Sequence, residues 1–163
     1  MNTLVVYDSQ YGNTEQIAQA IAETLRAFGQ AQAIRIDPAA PIDLQGVDLL
    51  VMGSPTQGFR PTPAITSYLA TLSPASAQGL AVACFDTRFR GRLMSHSAAP
   101  AMARQLNERG ISPCVEPESF FVMAWRKKGP LEARELERAG AWARRVYETS
   151  RASRSVLSAH AFV

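Results

Sequence analysis

At 163 residues, with 47% hydrophobic and 19% charged side chains, the chain has the size and balance of one globular domain with a substantial core. No apolar run reaches the ~20 residues of a membrane span. Met1-Asn2 leads directly into the first predicted strand with no leader-like segment, so the cytoplasm is the expected compartment. The net charge of +3 is carried mostly by Arg, without the aromatic-studded basic stripe of a nucleic-acid binder.

Apolar strands and amphipathic helices alternate along the chain. Leu4–Tyr7 reads as a buried strand, and residues 14–28 as a helix with Ile17, Ile21, Leu25 and Phe28 on one face, ended by Gly29. Gln32–Ile36 reads as a short second strand, followed by a proline-marked loop over 37–41. Val47–Met52 is a fully apolar third strand, with a turn-rich loop over Gly53–Pro61 and a helix over Thr62–Leu72. Leu80–Phe85 is a fourth strand, and Asp86–Gly91 reads as another polar loop. A helix over Ala98–Arg109 is closed by Gly110, a fifth strand covers Ser119–Ala124, and a last helix covers Leu131–Glu148. Leu136, Trp142 and Val146 are expected as its core contacts. Residues 1–150 form the predicted domain, and 151–163, rich in Ser and Ala, read as a tail.

Near-continuous apolar strands that alternate with helices predict a doubly wound α/β fold, a parallel sheet with helices on both faces. Such sheets bind ligands beyond the carboxyl ends of their strands, where the strand order reverses. Three polar loops leave that edge. In Ser9–Thr14, where a helix starts, several backbone N–H groups lack intrahelical partners, and the helix dipole favours an anion. Ser9, Tyr11, Asn13 and Thr14 add neutral donors, and Gly12 lets the backbone approach closely. No Lys or Arg lies in that loop, so a phosphate there would be held by dipoles. An ordinary N-cap at Asn13 or Thr14 is the plainer reading of the same residues.

The segment Leu4-Val5-Val6-Tyr7-Asp8-Ser9-Gln10-Tyr11-Gly12-Asn13-Thr14, with Ala18 and Ile21, closely resembles the phosphate loop of flavodoxins. By order of elements the resemblance extends over about 150 residues, and it is to the short-chain type. It also reaches the flavodoxin module of flavodiiron proteins, without the di-iron domain. The resemblance implies a five-stranded flavodoxin-like sheet of order 2-1-3-4-5 and FMN as cofactor. Ser9, Gln10, Tyr11, Gly12, Asn13 and Thr14 would then cradle the FMN phosphate. Ser54, Pro55, Thr56, Gln57, Gly58 and Phe59 would form one wall of the ring site, and Asp86, Thr87, Arg88 and Phe89 the other. Gln57 stands where a flanking Trp is usual, which leaves Phe59 or Phe89 to stack. Arg60, Arg88, Arg90 and Arg92 replace an acidic rim.

The function implied is FMN-dependent electron transfer between redox protein partners, by a monomer or weak dimer. No catalytic residue and no metal site is expected: Cys84 and Cys114 lack ligand spacing, and His96 and His160 lie far apart. An FMN-dependent reductase acting on a quinone or porphyrinogen is the alternative, and a flavin-free binding module on the same fold is another. Gly53 and Gly58 have P-loop spacing, but Phe59-Arg60 follows in place of Lys-Ser/Thr.

Overall fold

Strands that are apolar on both faces need cover on both, and the chain supplies it with helices. The structure, a computed structural model, describes residues 1–91, 96–123 and 128–160, with side chains up to residue 153. Strands β1 (Asn2–Tyr7), β2 (Gln30–Arg35), β3 (Leu49–Pro55), β4 (Ala81–Phe89) and β5 (Glu118–Val122) form one parallel sheet of order 2-1-3-4-5. Helices α1 (Asn13–Arg26), α2 (Pro63–Thr71), α3 (Ala98–Glu108) and α4 (Glu135–His160) connect and flank the strands. The order reverses around β1, which pairs with β2 on one side and β3 on the other.

Alternation along the strands divides the core into two layers. Val5, Tyr7, Val51, Phe85 and Phe120 face α1 and α4, and pack on Ile17, Ile21, Leu25, Trp142 and Val146. Leu4, Val6, Leu50, Met52, Val82 and Cys84 face α2 and α3, and meet Ile65, Leu69, Met102 and Leu106. In α1, Ile17, Ile21 and Leu25 recur every four residues and are buried, with Ala18 and Ala22 beside them. Phe28, just past its end, stacks on Tyr147 of α4.

Three expectations need correction. β4 does not stop at Phe85; residues 86–89 stay in the sheet because β5 pairs with them, from Phe85↔Glu118 to Phe89↔Val122. The polar composition of Asp86–Phe89 hid a strand that continues to the ligand edge. The last helix does not stop at Glu148; α4 runs on to His160 through part of the expected tail. Ala, Arg and Leu are good helix formers, and no Gly or Pro interrupts them after Gly140. Leu136 is exposed, on the outer side of α4, whereas Trp142 and Val146 are buried. Ala124, the expected end of the fifth strand, lies outside the described residues.

Gly53 lies opposite Phe85 in the register of β3 and β4, and a Cβ there would fall on the Phe85 ring. That ring is fully buried, edge-on to Phe120 and Trp142. Gly53→Ala must therefore displace a core aromatic. It should destabilise the fold by ~1–3 kcal/mol, read as a lower urea midpoint with an unchanged slope.

Candidate functional site

The carboxyl ends of β1, β3 and β4 meet above the point of strand reversal, and the loops that leave them form an open cleft with a cavity volume of ≈ 120 Å³. Gln10, Tyr11, Asn13, Pro55, Thr56, Gln57, Thr87, Arg88, Phe89 and Val122 line it. This cleft lies where a doubly wound sheet binds its ligand.

The first wall is the start of α1. Gly12 sits there at φ 86, a left-handed conformation that costs Gly no side-chain clash. The Ser9 hydroxyl turns inward and accepts from Gly12 N–H at 3.1 Å and Glu15 N–H at 3.4 Å. The amides of Gln10, Tyr11, Asn13 and Thr14 make no hydrogen bond to the described residues. Thr14 Oγ1 lies 2.7 Å from Thr87 Oγ1, joining α1 to β4. Asn13 Nδ2 donates to the Lys128 carbonyl at 3.0 Å.

The second wall leaves β3. Ser54 is fully buried below the cleft, where its Oγ accepts from Thr62 N–H at 3.0 Å. Gln57 and Arg60 exchange backbone hydrogen bonds of 2.9 and 3.0 Å around a turn with Gly58 at φ 54 and Phe59 at φ 67. A left-handed conformation costs a bulky residue ~1–2 kcal/mol, and here it leaves the Phe59 ring 57% exposed. Such outliers cluster at ligand clamps. Gln57 Nε2 also donates to Gln10 Oε1 at 2.8 Å, linking the second wall to the first.

The third wall is the end of β4. Asp86 does not line the cleft; it is buried and its Oδ2 accepts from Ala99 N–H at 2.7 Å, at the start of α3. Thr56 Oγ1 accepts from the neighbouring Ala98 N–H at 2.9 Å. Burial pushes the Asp86 carboxyl above the ordinary Asp range, against the Ala99 N–H, the nearby Ser97 and Ser119 hydroxyls and the Arg88 charge. Thr87, Arg88 and Phe89 do line the cleft, and the Phe89 ring is exposed. Arg88 is buried, 5.3 Å from the Phe121 ring centroid, with no partner at Nε. Arg90, by contrast, stacks on Phe121 at 4.0 Å and pairs with Glu132 at 2.7 Å. Arg60 is exposed on the turn, and Arg92 lies outside the described residues.

The structure thus gathers Gln10, Tyr11, Asn13, Pro55, Thr56, Gln57, Thr87, Arg88 and Phe89 around one cleft, with Ser9, Gly12 and Thr14 shaping its first wall and Gly58 and Phe59 on the adjoining turn. Ser54 and Asp86 lie beneath it. Sequence reasoning missed Val122 and the segment after β5. There a Cβ on Gly129 would sit 2.6 Å from both the Oδ1 and Nδ2 of Asn13. The Gly129-Pro130 dipeptide was the available turn signal.

The fold and this cleft define a doubly wound α/β protein with helix-start amides open at its switch point. The family model described as Flavodoxin matches residues 5–86. The chain belongs to the flavodoxin family, whose members bind FMN and transfer electrons. A "NAD(P)H dehydrogenase (quinone)" of Gluconacetobacter diazotrophicus is 34% identical over 87 aligned positions, covering 40% of this chain and 43% of that one. The oxidised flavodoxin 2 of Bacillus cereus superposes with a TM-score of 0.71 at 22% identity, over 91% of this chain and 99% of that one. The rubredoxin:oxygen oxidoreductase of Desulfovibrio gigas gives 0.70 at 18% identity, over 93% of this chain and 36% of that one. At those identities the two structures establish the shared fold. The chain spans less than half the length of the dehydrogenase and of the oxidoreductase.

The residues present fit FMN. Unpaired amides and a glycine cradle suit a phosphate, the exposed Phe89 lines the cleft, and the exposed Phe59 stands with it around the adjoining hollow. No helix among the described residues is long and apolar enough to cross a membrane.

Asp86 yields a pH prediction. A carboxyl whose folded pKa is raised binds more protons folded than unfolded, so its contribution falls as pH rises above the unfolded value of 3.8. Asp86→Asn keeps an acceptor for Ala99 N–H and cannot ionise. Its stability relative to wild type should rise from pH 3.5 upward and level off above the raised Asp86 pKa, as measured by urea denaturation across that range. A difference that does not vary with pH would show that Asp86 does not titrate abnormally.

Proposed function

We propose that the Ser9–Thr14 loop takes the phosphate of FMN, and that its ring lies between the Ser54–Phe59 and Thr87–Phe89 segments. When bound, the flavin supplies a ring that accepts and returns electrons one or two at a time. The protein's part is orientation and exclusion of water. The amides of Gln10, Tyr11, Asn13 and Thr14 converge on the phosphate with the α1 dipole behind them. Phe59 and Phe89 flank the ring faces, and the Gln10–Gln57 hydrogen bond steadies the mouth of the cleft. The loaded protein passes electrons between redox proteins in the cytoplasm, as a monomer or weak dimer.

The observation that carries this reading is the set of unpaired amides at one helix start. At α3 the corresponding N–H groups are taken by Thr56, Asp86 and the Ser97 carbonyl, and position 100 is a proline. A second reading, a flavin-dependent quinone reductase, rests on the 34% identity to the dehydrogenase. Oxidation of NAD(P)H with an added quinone would favour it over a carrier role.

The phosphate should provide much of the affinity, so FMN should bind far more tightly than riboflavin in a fluorescence-quenching titration. Equal affinities would sink the assignment. In the Thr14–Thr87 pair one O–H serves the contact and the other remains free to donate. Thr14→Ala should cost ~1.5–3 kcal/mol of FMN binding, roughly ten- to a hundred-fold. Thr14→Ser should restore most of it, and riboflavin binding should change little in either variant.

A further inference from the structure

Arg88 is the one cleft-lining cation that the fold buries without an ion pair among the described residues. Its residue exposure is 8%, it forms no ion pair, and its Nε has no hydrogen-bond partner. The neighbouring charges are engaged elsewhere. Arg90 is paired with Glu132 and Arg138 with Glu118 and Glu135; Asp86, which feels the Arg88 charge without an ion-pair contact to it, gives its Oδ2 to the start of α3. What holds Arg88 is the face of Phe121, a contact that balances no charge. It lines both the cleft and the adjoining hollow between Phe59 and Phe89. A buried guanidinium without an anion is costly unless a ligand supplies one.

The phosphate does not call for it, since the Ser9–Thr14 loop answers that charge from another wall. We infer that Arg88 makes the cleft prefer the reduced flavin, by meeting the negative charge that the ring acquires. Two electrons and one proton added to the oxidised ring leave one negative charge on it. The electrons come from a protein donor in function and from dithionite in the test, and the proton comes from water. A fixed cation in a low-dielectric wall stabilises the reduced form more than the neutral oxidised one. This rests on the proposed FMN site and adds the residue that sets its redox preference.

The experiment compares the FMN dissociation constants of wild type, Arg88→Gln and Arg88→Lys, oxidised and then reduced anaerobically with dithionite at neutral pH. For Arg88→Gln the ratio of reduced to oxidised constants should rise at least tenfold over wild type, which is about 1.4 kcal/mol. Arg88→Lys, which keeps the charge, should hold the ratio within threefold. The two-electron midpoint potential should fall in Arg88→Gln accordingly. A ratio unchanged in Arg88→Gln overturns the inference, because the side chain then acts equally on both states. If Arg88→Gln fails to fold by circular dichroism, Arg88→Lys decides: a ratio raised tenfold despite the retained charge also overturns it. Failure of the wild type to bind oxidised FMN would instead overturn the FMN site itself.

Discussion

The architecture of the cleft follows from the need to satisfy the first amides of each helix. A parallel sheet aims its loops at helix starts, and each start exposes N–H groups with no partner in the helix. At α3 every such amide is answered from within the fold, by Thr56 and Asp86 from two different strands and by Ser97. At α2 the Thr62 hydroxyl accepts from Ile65 N–H, Ser54 accepts from Thr62 N–H, and Pro63 has no N–H to satisfy. At α1 the Ser9 hydroxyl takes two amides and leaves the rest. The helices share a dipole, but only α1 keeps several donors open toward the cleft, and this decides where an anion sits.

The same caps fix the geometry of the other walls. Thr56 ties the loop after β3 to α3, and Asp86 ties β4 to the next residue of that helix. Thr14 and Thr87 join α1 to β4. The walls that face the ring are thus cross-braced through side chains from different elements, so a ligand meets a preformed cleft rather than free loops. Phe59 is the exception. Its left-handed backbone is imposed by the hydrogen-bonded turn between Gln57 and Arg60, and the strain is retained where the ring stands exposed at the cleft.

Most of the fold was legible because its signals are periodic. The apolar strands, the four-residue spacing of Ile17, Ile21 and Leu25, and Gly110 after its helix each act locally. The placement of Ser9–Thr14 between a strand and a helix start was legible because a strand, a polar turn and a helix start specify one another. The end of β4 was not, since the pairing of Arg88 and Phe89 with Phe121 and Val122 comes from a strand more than thirty residues away. The roles of Ser54 and Asp86 were hidden for a related reason: polar residues at strand ends serve a ligand or a helix start equally well. Only the placement of Thr62 and Ala99 distinguishes these roles. The extension of the last helix past Glu148 was not legible, because Ser-rich composition lowers helical propensity there while Ala and Arg raise it.

Charge separates the arginines that composition had grouped together. Arg60 is exposed on its turn, where water and salt screen it. Arg90 is neutralised by Glu132, so its field beyond the pair is that of a dipole. Arg88 is largely buried and forms no ion pair, and Asp86 is the carboxyl that feels its charge. A phosphate held by amides and hydroxyls brings no cation of its own to the site. On the proposed site, an electrostatic bias on the ring comes from the β4 wall, where the cleft-lining cation without an ion pair is Arg88. On the proposed site, anchoring and redox preference would reside in different elements, α1 and β4, which touch through the Thr14–Thr87 contact. A substitution in either can alter its own property while leaving the other's determinants in place.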